Sequence, residues 1–208
     1  MIWYKVTVFF WTAISIVYSG FAIFFFPNDY QNFTTWVFWL QTIFFSIEGW
    51  RLMENTTISS AYTFLYYGIF FPCLLSWEIS TGASVVYMMT EHATVFQESI
   101  DEVGEELTWI GNFFVHYLTL IMLIIFIAHE KCKWKDIKMK MNTQNYDYIN
   151  LLIILSFTVM FTYMTIYNPA NHYGIKNIDK LPIFVGVIFS GMLGLYIFYW
   201  FLQKIDQI

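Results

Sequence analysis

A hydroxyl and an imidazole set into apolar runs are the most reactive pair of side chains in this chain. Thr34 and His116 each lie in a long hydrophobic stretch, where polar groups are costly enough that the few present point to function. An imidazole that takes the proton of a threonine hydroxyl makes that oxygen a nucleophile for a carbonyl carbon. Counted at ~1.5 Å per residue, Thr34 lies ~8 Å beyond Asp29 and His116 ~12 Å beyond Thr108, so the two are expected at similar depth. Asn112 stands one turn before His116 on the same helical face, placed to orient the ring or to donate to an oxyanion. No acidic group completes a triad, so a dyad is expected, with Thr35 as the alternative nucleophile if the helix is rotated by one residue. Glu78, beside Trp77 near the end of an apolar run, is read either as reaching the interface or as facing inward to steer His116 or bind a cation.

Thr34, Gln41 and Glu48 are seven residues apart, which keeps them within ~20° per heptad of one face. Gln41 is expected to hydrogen-bond a neighbouring helix. Glu48 is expected to pair with Arg51 one turn on and to reach toward the membrane edge. The remaining histidines offer no metal site: His129 stands ~20 Å along its helix from His116, too far to share an ion, and His92 with His172 matches no metal-ligand spacing and is read as solvated. There is no phosphate-cradling glycine loop, nucleophile elbow or cysteine cluster. Neither a metal nor a cofactor is expected.

The elements that carry these residues follow from hydrophobicity. The chain has 208 residues, 58% hydrophobic against 12% charged, with 23 Phe, 15 Tyr and 9 Trp, a balance foreign to ordinary soluble domains. A bilayer-spanning helix needs ~20 mostly apolar residues, so the length accommodates about six spans with short connections. We place these at about 6–26, 30–53, 61–81, 108–128, 148–167 and 183–202. The first run is longer than a signal h-region and lacks a cleavage site, so it is read as a retained span. Pro27-Asn28-Asp29 separates the first two, with Asp29 as helix cap. Asn55 to Ser60 is a polar break, Pro72 is expected to kink the third span, and Asn168-Pro169 ends the fifth.

Between spans three and four, residues 91–106 carry six acidic groups and no Lys or Arg. Ala93, Phe96, Ile100, Val103 and Leu107 recur there at spacings of three and four, the pattern of an amphipathic surface helix. The fold class is therefore all-α, a six-helix polytopic membrane bundle forming one domain over 1–208. Six spans put Lys5, Arg51, the lysines from Lys131 to Lys140, and Lys204 on one side, against Lys176 and Lys180 on the other. Basic residues are retained on the cytoplasmic side, so both termini are expected there. A net charge of −5 offers no basic surface for nucleic acid. Cys73 and Cys132 sit too differently to suggest a disulfide.

The stretch 33–45, FTTWVFWLQTIFF, resembles the start of the second span in the FAR-17a/AIG1-like family, with Thr34 seven residues before Gln41. The pair Asn112 and His116 resembles that family's asparagine four residues before a histidine in the fourth span. Phe113 and Tyr117 stand where the family often has histidine and threonine. The resemblance implies an intramembrane threonine hydrolase that cleaves fatty acid esters of hydroxy fatty acids, with Thr34 as nucleophile and His116 as base. The expected partners are membrane lipid and a lipid ester substrate, in the endoplasmic reticulum or plasma membrane rather than an organelle inner membrane. The other reading is a non-catalytic subunit whose spans and acidic helix pack against membrane protein partners.

Overall fold

A computed structural model describes residues 2–25, 33–54, 64–91, 97–129, 134, 135, 138, 146–167 and 177–204. All regular structure among the described residues is helical: α1 (Ile2–Phe25), α2 (Phe33–Glu54), α3 (residues 64–91), the short α4 (Gln97–Val103), α5 (residues 105–129), α6 (Tyr146–Tyr167) and α7 (Asn177–Lys204). Four segments are long and apolar enough to cross a membrane: Ile2–Phe21, Leu65–Tyr87, Glu105–His129 and Lys180–Lys204. The turn at residues 27–29, the polar break at 55–60, most of the lysine-rich connection, His92, Cys132, Asn168 and His172 lie outside the described residues.

The exterior is apolar. Along α1, Trp3, Phe10, Val17 and Phe24 are exposed at intervals of seven, while Tyr4, Val8, Trp11 and Ser15 are buried. On α7, Leu181, Val185, Phe189, Tyr196 and Trp200 are likewise exposed. A hydrophobic surface of this extent around a core that holds polar groups fits lipid surroundings.

Two helices contain a π-helical turn, and in α3 the cause is local. Phe64–Phe70 is π-helical and passes directly into Phe71–Glu91, with Pro72 at the second position of the α-helical part. Proline has no N–H for the carbonyl four residues earlier, which is that of Gly68. Asn150 of α6 donates its amide to the Gly68 carbonyl at 2.8 Å and to Tyr199 Oη at 3.1 Å. The expected kink is thus a widened turn whose freed carbonyl is served by a neighbouring helix. The other π turn, Phe114–Leu118, lies within α5 and contains His116.

Several boundaries differ from expectation. α3 continues to Glu91 rather than ending at residue 81, since Gly82-Ala83-Ser84 does not interrupt a helix that Val85, Val86 and Tyr87 carry forward. The amphipathic segment is shorter than the 91–106 pattern: α4 ends at Val103, and Gly104 turns the chain at φ 88, a conformation that disfavours side chains. Glu105, Glu106 and Leu107 are therefore the first turn of α5. α7 begins before Pro182 and contains it.

Packing orders the helices. α1 and α2 are antiparallel, with Thr12 Oγ1 donating to the Phe45 carbonyl at 3.1 Å and Tyr18 meeting Phe38. α2 and α5 run in the same direction, with Phe38 against Phe114 and Phe45 against Phe126. α3 and α7 are antiparallel and close: Ser76 Oγ donates to the Gly191 carbonyl and Ser80 Oγ to that of Val187. A Cβ on Gly194 would stand 2.9 Å from Ser76 Cα, so only glycine permits this approach.

The start of α1 and the end of α7 lie at one end of the bundle, which we call the terminal end; the opposite is the far end. At the terminal end, Tyr67, Phe71, Phe126 and Phe198 surround the fully buried Trp134, whose indole donates to the Ile127 carbonyl at 3.0 Å. Glu48, also fully buried, accepts from Arg51 Nε at 2.8 Å and from Tyr4 Oη at 3.2 Å. The pairing read from sequence is present, but as a buried group rather than a side chain stretched to the edge.

Candidate functional site

The polar residues of the spans meet on Glu78. Its carboxyl is 1% exposed, in the middle of α3, because that helix runs ten residues past the expected end; the shallow placement inferred from sequence is corrected. With its amide oriented to satisfy both neighbours, Gln41 accepts from Trp11 Nε1 at 2.7 Å and donates to Glu78 Oε1 at 3.3 Å. Thr119 Oγ1 lies 3.0 Å from Glu78 Oε2 and 2.8 Å from the Val115 carbonyl. Thr81 Oγ1 donates to the backbone carbonyl of Glu78 at 3.1 Å. One carboxyl therefore ties α2, α3 and α5 directly, and α1 through Gln41. Gln41 does bond neighbouring helices, as its type and setting suggested.

His116 stands one turn from Thr119, toward the far end. It is 5% exposed, and its Nδ1 is buried without a hydrogen-bond partner. The α5 backbone comes close to α3 here, since a Cβ on Gly82 would stand 3.9 Å from the His116 carbonyl oxygen. π turns within α-helices often mark functional sites, and an imidazole in one, with a free ring nitrogen, is chemically poised to accept or donate a proton.

Thr34 is not brought to this imidazole. Thr34 and Thr35 occupy the first turn of α2 and are half-buried, and no hydrogen bond joins either to His116. The contact between Phe38 and Phe114 gives the register. Thr34 precedes Phe38 by ~6 Å along α2 and His116 follows Phe114 by ~3 Å along α5, an axial offset of ~9 Å at 1.5 Å per residue. Direction differs too: two residues beyond Phe114, the imidazole leaves α5 roughly half a turn away from the face that meets α2. Trp11 and Tyr18 pack on Phe114 within 5.0 and 5.2 Å, and Tyr18 on Phe38 within 5.4 Å. The expected similar depth is corrected by this register; the start of α5 also differs, at Glu105 rather than Thr108, while Asp29, from which Thr34 was counted, lies outside the described residues.

Asn112 donates to the carbonyl of Thr108 at 2.9 Å, a bond within its own helix rather than to the ring. Among the buried groups that sequence reading did not single out are two serines. Ser15 and Ser19 of α1 have buried hydroxyls with no hydrogen-bond partner. Their signal was available, since Ser15 lies on the same stripe as Tyr4, Val8 and Trp11. Among the described residues no group of three His, Cys, Asp or Glu side chains converges to hold a metal ion. No family model, curated protein or solved structure matches this chain.

Proposed function

We propose that the protein is a six-span membrane hydrolase of lipid esters, fatty acid esters of hydroxy fatty acids or similar, with His116 as base and Thr34 as nucleophile. The single observation that carries this reading is the buried imidazole at the π turn of α5, with Nδ1 unpartnered inside an apolar helix. The resemblance of residues 33–45 and of Asn112 with His116 to the FAR-17a/AIG1-like family supports the same roles. In this reading α2 and α6 also cross the membrane, both termini are cytoplasmic, and the protein resides in the endoplasmic reticulum or plasma membrane. The reading carries a specific demand. Entry of the ester must bring the Thr34 hydroxyl within ~3 Å of the His116 ring, or within one bridging water, which requires α2 and α5 to shift and turn against each other enough to close the ~9 Å axial offset.

In the reaction Thr34 Oγ1 attacks the ester carbonyl and His116 takes its proton, then returns it to the departing alcohol. Water completes the cycle by cleaving the acyl-threonine, its proton passing through the same imidazole. Purified protein in lipid nanodiscs, given a fatty acid ester of a hydroxy fatty acid, is expected to lose roughly 100-fold or more of its turnover in Thr34→Ala and in His116→Ala. Undiminished hydrolysis in both variants, or no fluorophosphonate adduct on Thr34, overturns the assignment.

A second reading is favoured by the Phe38–Phe114 contact with Trp11 and Tyr18 around it, which packs aromatic rings between α1, α2 and α5. There the protein is a non-catalytic subunit of a membrane complex. It predicts no turnover in the parent protein and a stoichiometric protein partner after mild extraction from native membranes.

A further inference from the structure

We propose that the seam between α1 and α2 holds bound water, in a file that starts beside the Gln41–Glu78 pair and runs past Ser15 and Ser19 toward Thr34. The inference does not depend on either reading of the function. It rests on two hydroxyls of one seam that lack the bond most hydroxyls of the bundle make; Thr158 Oγ1, on α6, is also buried and unpartnered.

A serine or threonine inside a membrane helix ordinarily gives its proton to the carbonyl one turn back. Thr42 does so to Phe38, Ser46 to Thr42, Ser84 to Ser80 and Ser190 to Gly186, at 2.7–2.9 Å. Ser15 and Ser19 do not. Ser15 is 0% exposed, and both oxygens are buried and unpartnered. Each has one proton to donate and two lone pairs to fill, and a buried hydroxyl left unmet is rare enough in native structures to require an explanation such as an ordered water.

Both hydroxyls are on the face of α1 turned to α2 and the bundle. Thr12, which donates to the Phe45 carbonyl, precedes Ser19 by seven residues, so the two share a side. The antiparallel register set by Thr12 with Phe45 and Tyr18 with Phe38 puts Ser15 level with Gln41 and Ser19 level with Phe38. Thr34 follows about one further turn toward the far end. Successive hydroxyls are then one helical turn apart, ~5.4 Å, a step that two O–H···O bonds of about 2.8 Å through one water span. At the deep end, the Gln41 carbonyl and the Glu78 carboxyl retain lone pairs for a further bond. Such a file delivers water to the level of a buried carboxyl, which an intramembrane hydrolase needs and a packing subunit does not.

The test uses the full-length protein in membrane vesicles. Single Ser15→Cys and Ser19→Cys variants are exposed to a small charged methanethiosulfonate reagent, and modification is read at each cysteine by peptide mass spectrometry. The thiolate, which forms only where water reaches, attacks the reagent's sulfenyl sulfur and displaces methanesulfinate to give a mixed disulfide, and native Cys73, buried and free, serves as the dry reference in the same molecule. The introduced thiols are expected to react at least about ten-fold faster than Cys73, position 19 ahead of position 15. Reaction no faster than that of Cys73 at both positions overturns the proposal. Ser15→Ala and Ser19→Ala provide a measurement independent of the cysteine variants' folding. If the hydroxyls hold water, both lower the melting temperature in detergent. If the seam is dry, removing an unmet hydroxyl leaves the melting temperature unchanged or raises it, and the proposal fails.

Discussion

The two ends of the bundle treat buried charge in different ways, although each holds unpartnered polar atoms, Asn150 Oδ1 near the terminal end among them. At the terminal end the charges are closed off: Glu48 is held by Arg51 and Tyr4, Lys5 donates to the Leu52 carbonyl at 2.8 Å, and Trp134 fills an aromatic cage. Toward the far end a carboxyl is joined only to neutral groups, Gln41 and Thr119, and three buried atoms, Ser15 Oγ, Ser19 Oγ and His116 Nδ1, have no partner. A satisfied buried polar group stabilises one arrangement of helices; an unsatisfied one costs stability and persists where something else uses it. The terminal end is therefore built around paired charge, and the far half around a carboxyl among neutral groups.

That contrast can be broken most directly at Trp134. Trp134→Ala empties the centre of the terminal cage and is expected to destabilise by about 3–5 kcal/mol, as large-to-small aromatic changes in cores do. Its melting temperature in detergent should fall further than that of any far-half variant. A far-half variant that matches the fall would erase the distinction.

Glu48 and Glu78 sharpen the comparison because both are buried carboxyls. Glu48→Gln leaves the half-buried Arg51 without its anion and is expected to destabilise by about 2–4 kcal/mol, near the lower end for a broken buried pair. Glu78→Gln keeps the shape and neighbours that can still donate or accept, so a loss of about 1 kcal/mol or less is expected, while lipid-ester turnover falls. Equal losses of stability with turnover intact in Glu78→Gln would mean that both carboxyls are structural.

Asn150→Leu gives an intermediate effect. It deprives the Gly68 carbonyl of the donor that Pro72 withholds, and a buried acceptor left unmet costs about 1–3 kcal/mol. Thermal unfolding of Asn150→Leu beside Asn150→Leu with Pro72→Ala checks the mechanism, because restoring the N–H at position 72 should recover part of the loss. The smallest effect is expected at Ser80→Ala, where an interhelical hydroxyl bond in a membrane bundle is worth about 0.6 kcal/mol.

Individual residues show what could be read before the fold was known. Glu48 with Arg51 is legible because three residues on a helix is one turn, whatever surrounds it. The disturbance at Pro72 is legible because proline lacks an N–H wherever it stands. Trp134 was not legible: it sits in a lysine-rich connection whose composition reads as solvated, and only the aromatic side chains that converge from α3, α5 and α7 make it a core residue. Glu78 was misjudged for a related reason, since its depth depends on where α3 ends. Asn150 offered no signal that its amide serves a carbonyl on another helix.

From the order of its side chains alone the protein is a set of long apolar helices, with a few named polar residues at known faces, because hydrophobicity and the helical repeat are local properties. Only the tertiary structure decided the heights and rotations of those helices against one another. These are set by which side chains pack, as Phe38 on Phe114 and Ser76 against Gly194 do, and they join Gln41 to Glu78 while holding Thr34 apart from His116. A shift of a few ångströms between helices leaves every local pattern unchanged and exchanges one set of neighbours for another.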